Sequence, residues 1–385
     1  MKFYTKQILI YFLYLALLVL ISCELFLRYM YPASKDYYIW PPHLYQIFEP
    51  SDEATPGVSG AGRFRINSLG LRSDEPPNDA REIVYVFGGS TAIDLYLDQD
   101  RGWVQQLQTK LSSNEPTWVG NLGRSSMATL HNLLMFKYLI PNLPKADLFI
   151  NLVGVNDLQL AIKSSYLQNM TEDMHMSWIF SKQPTKSFWE SFAIKRFYHR
   201  IVDWRMKSNL GPVQTNKANG FIQWKKCRAD AKPEDIVNHL PDLSNALQEY
   251  RHNLNRLVDN ANALNATTIF LTQPTTWSDR MGPEEISQMF TGGIGPNSEW
   301  CKEKKYYSPV ALSLGMEKFN STLLSVCKER NLFCIDLANK IPKKAKYFYD
   351  EMHLSDAGAD LVSDIVSKEI IHYKKNKSTL VHNER

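Results

Sequence analysis

The sequence predicts an α/β fold: a three-layer sandwich around a five-stranded parallel sheet, with a helical, aromatic-rich insertion. Three observations carry this. Short apolar, β-rich runs recur at 83–87, 117–121, 148–153, 267–272 and 332–335, separated by helical patterns such as 103–111 and 246–264. The runs are nearly continuous in apolar residues rather than alternating, as expected of strands buried on both faces. Polar residues suited to chemistry follow the first three runs, where open α/β sheets bind ligands, at the carboxyl ends of their strands.

Taken in order, residues 1–30 form the first element. After Lys2 and Lys6, residues Ile8 to Cys23 carry no charge; Glu24 interrupts, and Leu25-Phe26-Leu27 continue before Arg28. A spanning helix needs ~20 mostly apolar residues. The expected reading is a membrane anchor through residues 8–27, its basic end inside and the remaining chain outside the cytoplasm. Two alternatives are a cleaved signal peptide with secretion, and a lipoprotein acylated at Cys23 of Leu20-Ile21-Ser22-Cys23. All three export the rest of the chain. Residues 31–80 read as a proline-rich extension punctuated by Pro41-Pro42 and Pro76-Pro77. The catalytic domain is expected over 81–373. An insertion at about 163–243 contains Trp178, Trp189, Trp204 and Trp224, and a long loop around Gly292-Gly293-Ile294-Gly295-Pro296 spans about 275–307. Such insertions often wall a site, although aromatics in them more commonly pack a small core. Residues 374–385 are a basic tail, read as solvated.

The chemistry lies in four short segments. Ser90 follows the first run in Gly88-Gly89-Ser90-Thr91, and Asp350 and His353 stand three apart in Asp350-Glu351-Met352-His353. A serine hydroxyl becomes a nucleophile when an imidazole removes its proton, and the imidazole needs a carboxylate to set its tautomer. A tetrahedral intermediate also needs donors for its oxyanion. Ser90, Gly123 of Asn121-Leu122-Gly123, and Asn156 of Gly154-Val155-Asn156-Asp157 are the candidates. Taken singly, Ser90 reads as a helix N-cap, Asp350 and Asn156 as turn residues, and His353 as a surface histidine; order and strand-end placement together favour the catalytic reading. His131 reads as structural or surface, Asp157 as a loop-fixing residue, and Asp94 and Asp98 as shaping a helix start.

These four blocks, in this order, resemble the SGNH (GDSL-type) hydrolase family over roughly residues 81–372. The resemblance implies a catalytic triad of Ser90, His353 and Asp350, an oxyanion hole from Ser90, Gly123 and Asn156, and small acyl groups at a shallow site. Gly89 stands where the family usually has Asp. Asn67-Ser68-Leu69-Gly70-Leu71-Arg72 also looks like a segment that precedes the first strand in some exported members, or else an ordinary turn. The expected function is an exported serine ester hydrolase, acting on O-acylated cell-surface glycan. Alternatives are an O-acyltransferase on the same substrates, a lipid esterase, and a non-catalytic glycan-assembly protein.

Composition narrows the partners. The 385 residues include 44 basic and 40 acidic side chains, for a net charge of +4, which offers no nucleic-acid footprint. No Cys/His spacing suggests zinc, so neither metal nor cofactor is expected. Cys227, Cys301, Cys327 and Cys334 allow two disulfides in three pairings. Cys327–Cys334, flanking a helix-to-strand connection, is the favoured local pair, with buried thiols as the alternative. Oligomeric state is not readable from the sequence.

Overall fold

The computed structural model describes residues 2–30, 36–163, 170–184, 192–194, 197–198, 215–217, 219–294 and 304–383. Trp189, Trp204, Gly295, Pro296 and Cys301 lie outside them. The chain divides into two units, residues 1–37 with 182–214 and residues 38–181 with 215–385.

In the first unit, helix α1 (Lys2–Met30) contains a 25-residue stretch, Lys6–Met30, long and apolar enough to cross a bilayer. The helix runs through Glu24 without a break. That carboxylate accepts from Arg28 one turn on, at 2.8 Å, and from the Ala193 and Ile194 N–H groups at 2.7 and 3.2 Å. By length and composition the segment fits a signal anchor or a signal peptide.

The second unit begins with strands β1 (Tyr45–Glu49) and β2 (Gly62–Arg65), paired antiparallel within the proline-rich extension. There follow β3 (Glu82–Gly88), the single-turn helix α2 (Ser90–Ile93), α3 (Trp103–Ser112), β4 (Thr117–Asn121) and α4 (Thr129–Tyr138). Next come β5 (Leu148–Leu152), α5 (Val155–Ile162) and α6 (Glu172–Ile179). Strand β6 (Thr215–Lys217) joins β1 in parallel and leads into α7 (Asn219–Ala229). The remainder includes β7 (Ile236–Val237), α8 (Ser244–Ala263), β8 (Thr267–Leu271), β9 (Tyr306–Tyr307), α9 (Pro309–Glu329), β10 (Cys334–Ile335) and α10 (Asp356–Asn383), with short helices at Pro283–Ser287 and Leu337–Lys340.

The main sheet has the order β10-β8-β5-β3-β4, all parallel. Alternation along β3 shows why both faces are apolar. Val84 and Val86 join the core beneath α3 and α10, with Trp103, Leu107, Val362 and Val366. Tyr85 and Phe87 point the other way and stack on Phe149, with Phe136 of α4 closing that cluster. Helices α8 and α9 complete the second layer through Tyr250 and Phe319, whose rings lie 5.0 Å apart. The expected three-layer, five-stranded architecture is the one observed. Strand ends agree within a residue except at β10, where only Cys334 and Ile335 pair. Cys327 and Cys334 form a disulfide that ties the end of α9 to that short edge strand, and Cys227 is also disulfide-bonded.

Candidate functional site

Ser90 opens α2 directly after β3, and two glycines make that abrupt turn possible. A Cβ at Gly88 would lie 2.6 Å from Ala92 Cβ and 3.0 Å from Leu152 O. A Cβ at Gly89 would lie only 2.0 Å from Asn156 Nδ2. Gly89 therefore gives the Asn156 amide its place beside the serine. Asn156, half-buried at the start of α5, donates from Nδ2 to Met127 O at 2.9 Å, leaving its second amide hydrogen. Among the described residues, no hydrogen bond engages the Ser90 hydroxyl.

The turn is braced from the extension. Asn67 Oδ1 accepts from Leu69 and Leu71 N–H, both at 3.0 Å, around Gly70 at φ 76°. This tight turn delivers Arg72 into the core, where its guanidinium donates to the carbonyls of Ile93, Asp94 and Leu97. The segment is thus a turn with a task, bracing the chain that follows Ser90. Asp94 accepts the Trp103 N–H at 3.1 Å, and burial pushes its carboxyl up to about 7 against the pull of Arg72. Asp98 caps the next turn and pairs with Arg63 at 2.6 Å; despite its burial, that guanidinium holds it down to about 2.

Asp350 and His353 meet within one tight loop. His353 Nδ1 lies 2.7 Å from Asp350 Oδ2, while Asp350 Oδ1 accepts the N–H groups of Met352 and His353 at 2.9 and 2.8 Å. A carboxylate is acceptor-only, so Nδ1 carries the proton and Nε2 of the neutral ring is left with its lone pair. Burial pushes the imidazole pKa down, but Asp350 outweighs it and the net shift is upward. This loop packs against the chain after Ser90: the Tyr96 and Tyr349 rings are 6.1 Å apart, and the charge of Asp94 acts on His353. No hydrogen bond joins Ser90 to His353 among the described residues.

The third expected oxyanion donor fares differently. Gly123 N–H donates to Asn121 Oδ1 at 2.8 Å, and Asn121 Nδ2 is itself held by Ala92 O at 2.8 Å. The asparagine two residues upstream therefore consumes the Gly123 N–H, and Gly123 offers no free donor in this geometry. Further along the loop, Ser126 adopts φ 64° in a turn closed by Met127 N–H on Arg124 O.

His131 is buried within α4, not on the surface. Its Nδ1 accepts the Ala128 N–H at 2.9 Å, so Nε2 carries the proton toward His175 Nδ1 at 3.1 Å. Burial, with His175 beside it, lowers its pKa to about 3. Asp157 accepts the Thr129 N–H and hydroxyl at 3.1 and 2.6 Å, tying α5 to the start of α4 next to the Met127 carbonyl that holds Asn156. No group of three or more His, Cys, Asp or Glu side chains suited to a metal occurs among the described residues.

The sequence offered no sign of one residue beside this machinery. Glu351 is fully buried between Asp350 and His353 and accepts from Thr291 N–H at 2.7 Å, Thr291 Oγ1 at 2.5 Å and Phe290 N–H at 3.1 Å. Burial, then the neighbouring Asp350, pushes its pKa up.

No family model and no curated protein matches the chain. Solved structures are similar to it at low identity. One is LAE5, an alpha/beta hydrolase enzyme from the metagenome of Lake Arreo, Spain, at 13% identity and TM-score 0.41, covering 75% of this chain and 95% of that one. Another is Axe2, an acetylxylan esterase from Geobacillus stearothermophilus, at 12% identity and TM-score 0.39, covering 76% and 94%. A third is a lipase/acylhydrolase from Enterococcus faecalis, at 13% identity and TM-score 0.39, covering 75% and 95%.

Proposed function

We propose that this chain is a serine ester hydrolase that removes acyl groups from O-acylated glycan. The observation that carries the reading is the Asp350–His353 pair: Asp350 Oδ2 fixes the Nδ1 proton, leaving Nε2 as the base, on a loop packed against the chain that follows Ser90. His353 Nε2 takes the hydroxyl proton as Ser90 Oγ attacks the ester carbonyl, and Asp350 steadies the imidazolium. The oxyanion is received by the Ser90 N–H and the second Asn156 amide hydrogen. Because the Gly123 N–H is engaged by Asn121 Oδ1, the reading rests on these two donors. His353 then protonates the leaving alcohol, and water attacking the acyl-serine releases the acid.

The chain is proposed to be anchored through α1, with the second unit outside the cytoplasm. The Cys327–Cys334 disulfide supports this, since structural disulfides persist mainly in oxidising compartments. Export brings acetylated surface carbohydrate within reach as substrate.

The test is fluorophosphonate labelling of the full chain in detergent, with the adduct located by mass spectrometry. Labelling at Ser90 that is lost in His353→Ala is the expected result. A folded protein without adduct at Ser90 refutes the reading.

A further inference from the structure

The imidazole of His353 lies among three near-parallel rings. Trp224 of α7 stacks on Phe290 at 5.7 Å and 18°, Phe290 on His353 at 6.2 Å and 15°, and Tyr349 also stacks on His353 at 5.4 Å and 6°. Phe221, also from α7, meets His353 edge-on at 6.3 Å and 90°. Nothing in the bonding of Asp350 requires this packing, because Asp350 fixes the imidazole only at its Nδ1 edge and leaves the ring free to rock about that bond.

The packing is held by buried charge. Glu351 grips the Phe290–Thr291 segment through two backbone N–H groups and the Thr291 hydroxyl. Arg228 of α7 donates to Thr291 O and, at 2.7 Å, to Tyr307 O. Lys225, buried one turn before Arg228, donates to Tyr349 O at 3.0 Å and to Ala54 O at 2.8 Å. The two rings stacked on His353 are thus anchored separately, Phe290 by Glu351 and Arg228, Tyr349 by Lys225. A buried carboxylate is unfavourable unless its site is specifically satisfied. Here the satisfying donors belong to the segment that covers the imidazole.

Building on the serine-hydrolase reading, we propose that Glu351 is a positioning residue for the catalytic histidine: its carboxylate clamps the Phe290–Thr291 segment and so holds Phe290 stacked on His353, on which Tyr349 also stacks. The carboxylate keeps Nε2 aimed at the serine through Phe290, and its negative charge favours the imidazolium that forms during turnover. The charged and titratable groups around the pair are Asp350 on the same loop, Asp94 and Tyr96 after Ser90, Lys225 and Arg228 on α7, and Tyr306 and Tyr349. Both basic side chains are already committed to backbone carbonyls.

The test uses full-length protein in detergent with p-nitrophenyl acetate. Glu351→Gln keeps the side-chain shape but loses the charge and sets an amide NH2 against N–H donors. The expected result is a kcat lower by about 10²-fold, the scale of a small misplacement, with KM within about twofold. The acid limb of the kcat/KM profile moves to lower pH, a change that a merely structural anchor would not produce. Phe290→Leu, which leaves the clamp intact, lowers kcat in the same way, and the double variant is little worse than either. Folded Glu351→Gln with wild-type kcat and an unmoved acid limb overturns the proposal. If Glu351→Gln does not fold, Phe290→Leu decides, and wild-type kinetics in it are equally fatal. If the wild-type chain takes no adduct at Ser90, the hydrolase reading fails separately. The clamp is then read from the His353 ring by NMR titration: an unchanged midpoint in both variants overturns it, and a lowered one supports it.

Discussion

Gly89→Ala adds one methyl group, and the structure specifies what that group meets. Its Cβ falls 2.0 Å from Asn156 Nδ2, with Met127 O next nearest among non-Asn156 atoms at 3.4 Å. The backbone there has φ −89°, so the left-handed region is not involved. The obstacle is the tip of a side chain, which can rotate away without moving the strand or helix. Two effects then separate. Stability changes little: a compatible Gly→Ala substitution gains about 0.4–1 kcal/mol through the unfolded state, and losing the Asn156–Met127 bond costs about 0.5–1.5 kcal/mol. Activity falls sharply, because the displaced amide no longer faces the oxyanion. Losing one such donor costs about 10²–10³ in kcat, or roughly 3–4 kcal/mol in the transition state. Gly89→Asp, which puts a larger side chain against the same amide, should fall at least as far. The assay pairs kcat on p-nitrophenyl acetate with a thermal melt of the same preparation. Wild-type kcat in folded Gly89→Ala would refute the reasoning, because Asn156 would then not act from the position seen here. A collapse of the melting temperature would refute it differently, by showing that the strand turn rather than the amide had yielded.

Ser90→Ala and His353→Ala should each remove nearly all turnover and the double variant should be little worse, as expected of groups that act as a unit; steady-state kinetics check this. Asp94→Asn should stabilise the protein in a pH-dependent way. Burial raises the Asp94 pKa from 3.8 to about 7, so its contribution to stability is fully present below the unfolded value and is lost as pH rises through 7. At about 1.4 kcal/mol per unit the ceiling is about 4 kcal/mol, and melts at pH 4, 6 and 8 should show the variant's advantage growing across that range. Replacing both Cys327 and Cys334 by Ala opens a link between residues seven apart, with an expected loss of about 2 kcal/mol in urea unfolding and little change in kcat.

The parts of this protein that were legible in the sequence are those whose signal is local. The β3 and β5 runs are apolar on both faces, so their burial shows in consecutive residues. The Asp350–His353 contact is legible because three residues of tight loop suffice to bring a carboxylate to an imidazole. Strands β1 and β2 were not legible: Tyr45–Glu49 alternates weakly among prolines, and besides β2 its partner is β6, some 170 residues downstream. Gly123 failed for a different reason. A free N–H and an engaged one look alike in sequence, and Asn121 could equally have turned outward.

Glu351 marks the limit most clearly. Between Asp350 and His353, in a loop, an acidic side chain reads as solvated, because a lone carboxylate almost never enters a core. Its burial becomes favourable only once Phe290 and Thr291, 60 residues earlier, present their N–H groups, and once Arg228 of the insertion pins the same peptide. None of those donors is remarkable by residue type, and two are backbone groups that any sequence would supply. The insertion read from its tryptophans as a small core or a substrate wall. Its described helix α7 packs Phe221 and Trp224 on Phe290 and also places Lys225 and Arg228 on the carbonyls of Tyr349 and Thr291, beside His353. Residues that carry chemistry are constrained by reactivity and can be recognised by type, whereas residues that aim them are constrained by geometry and become visible only when the chain is folded.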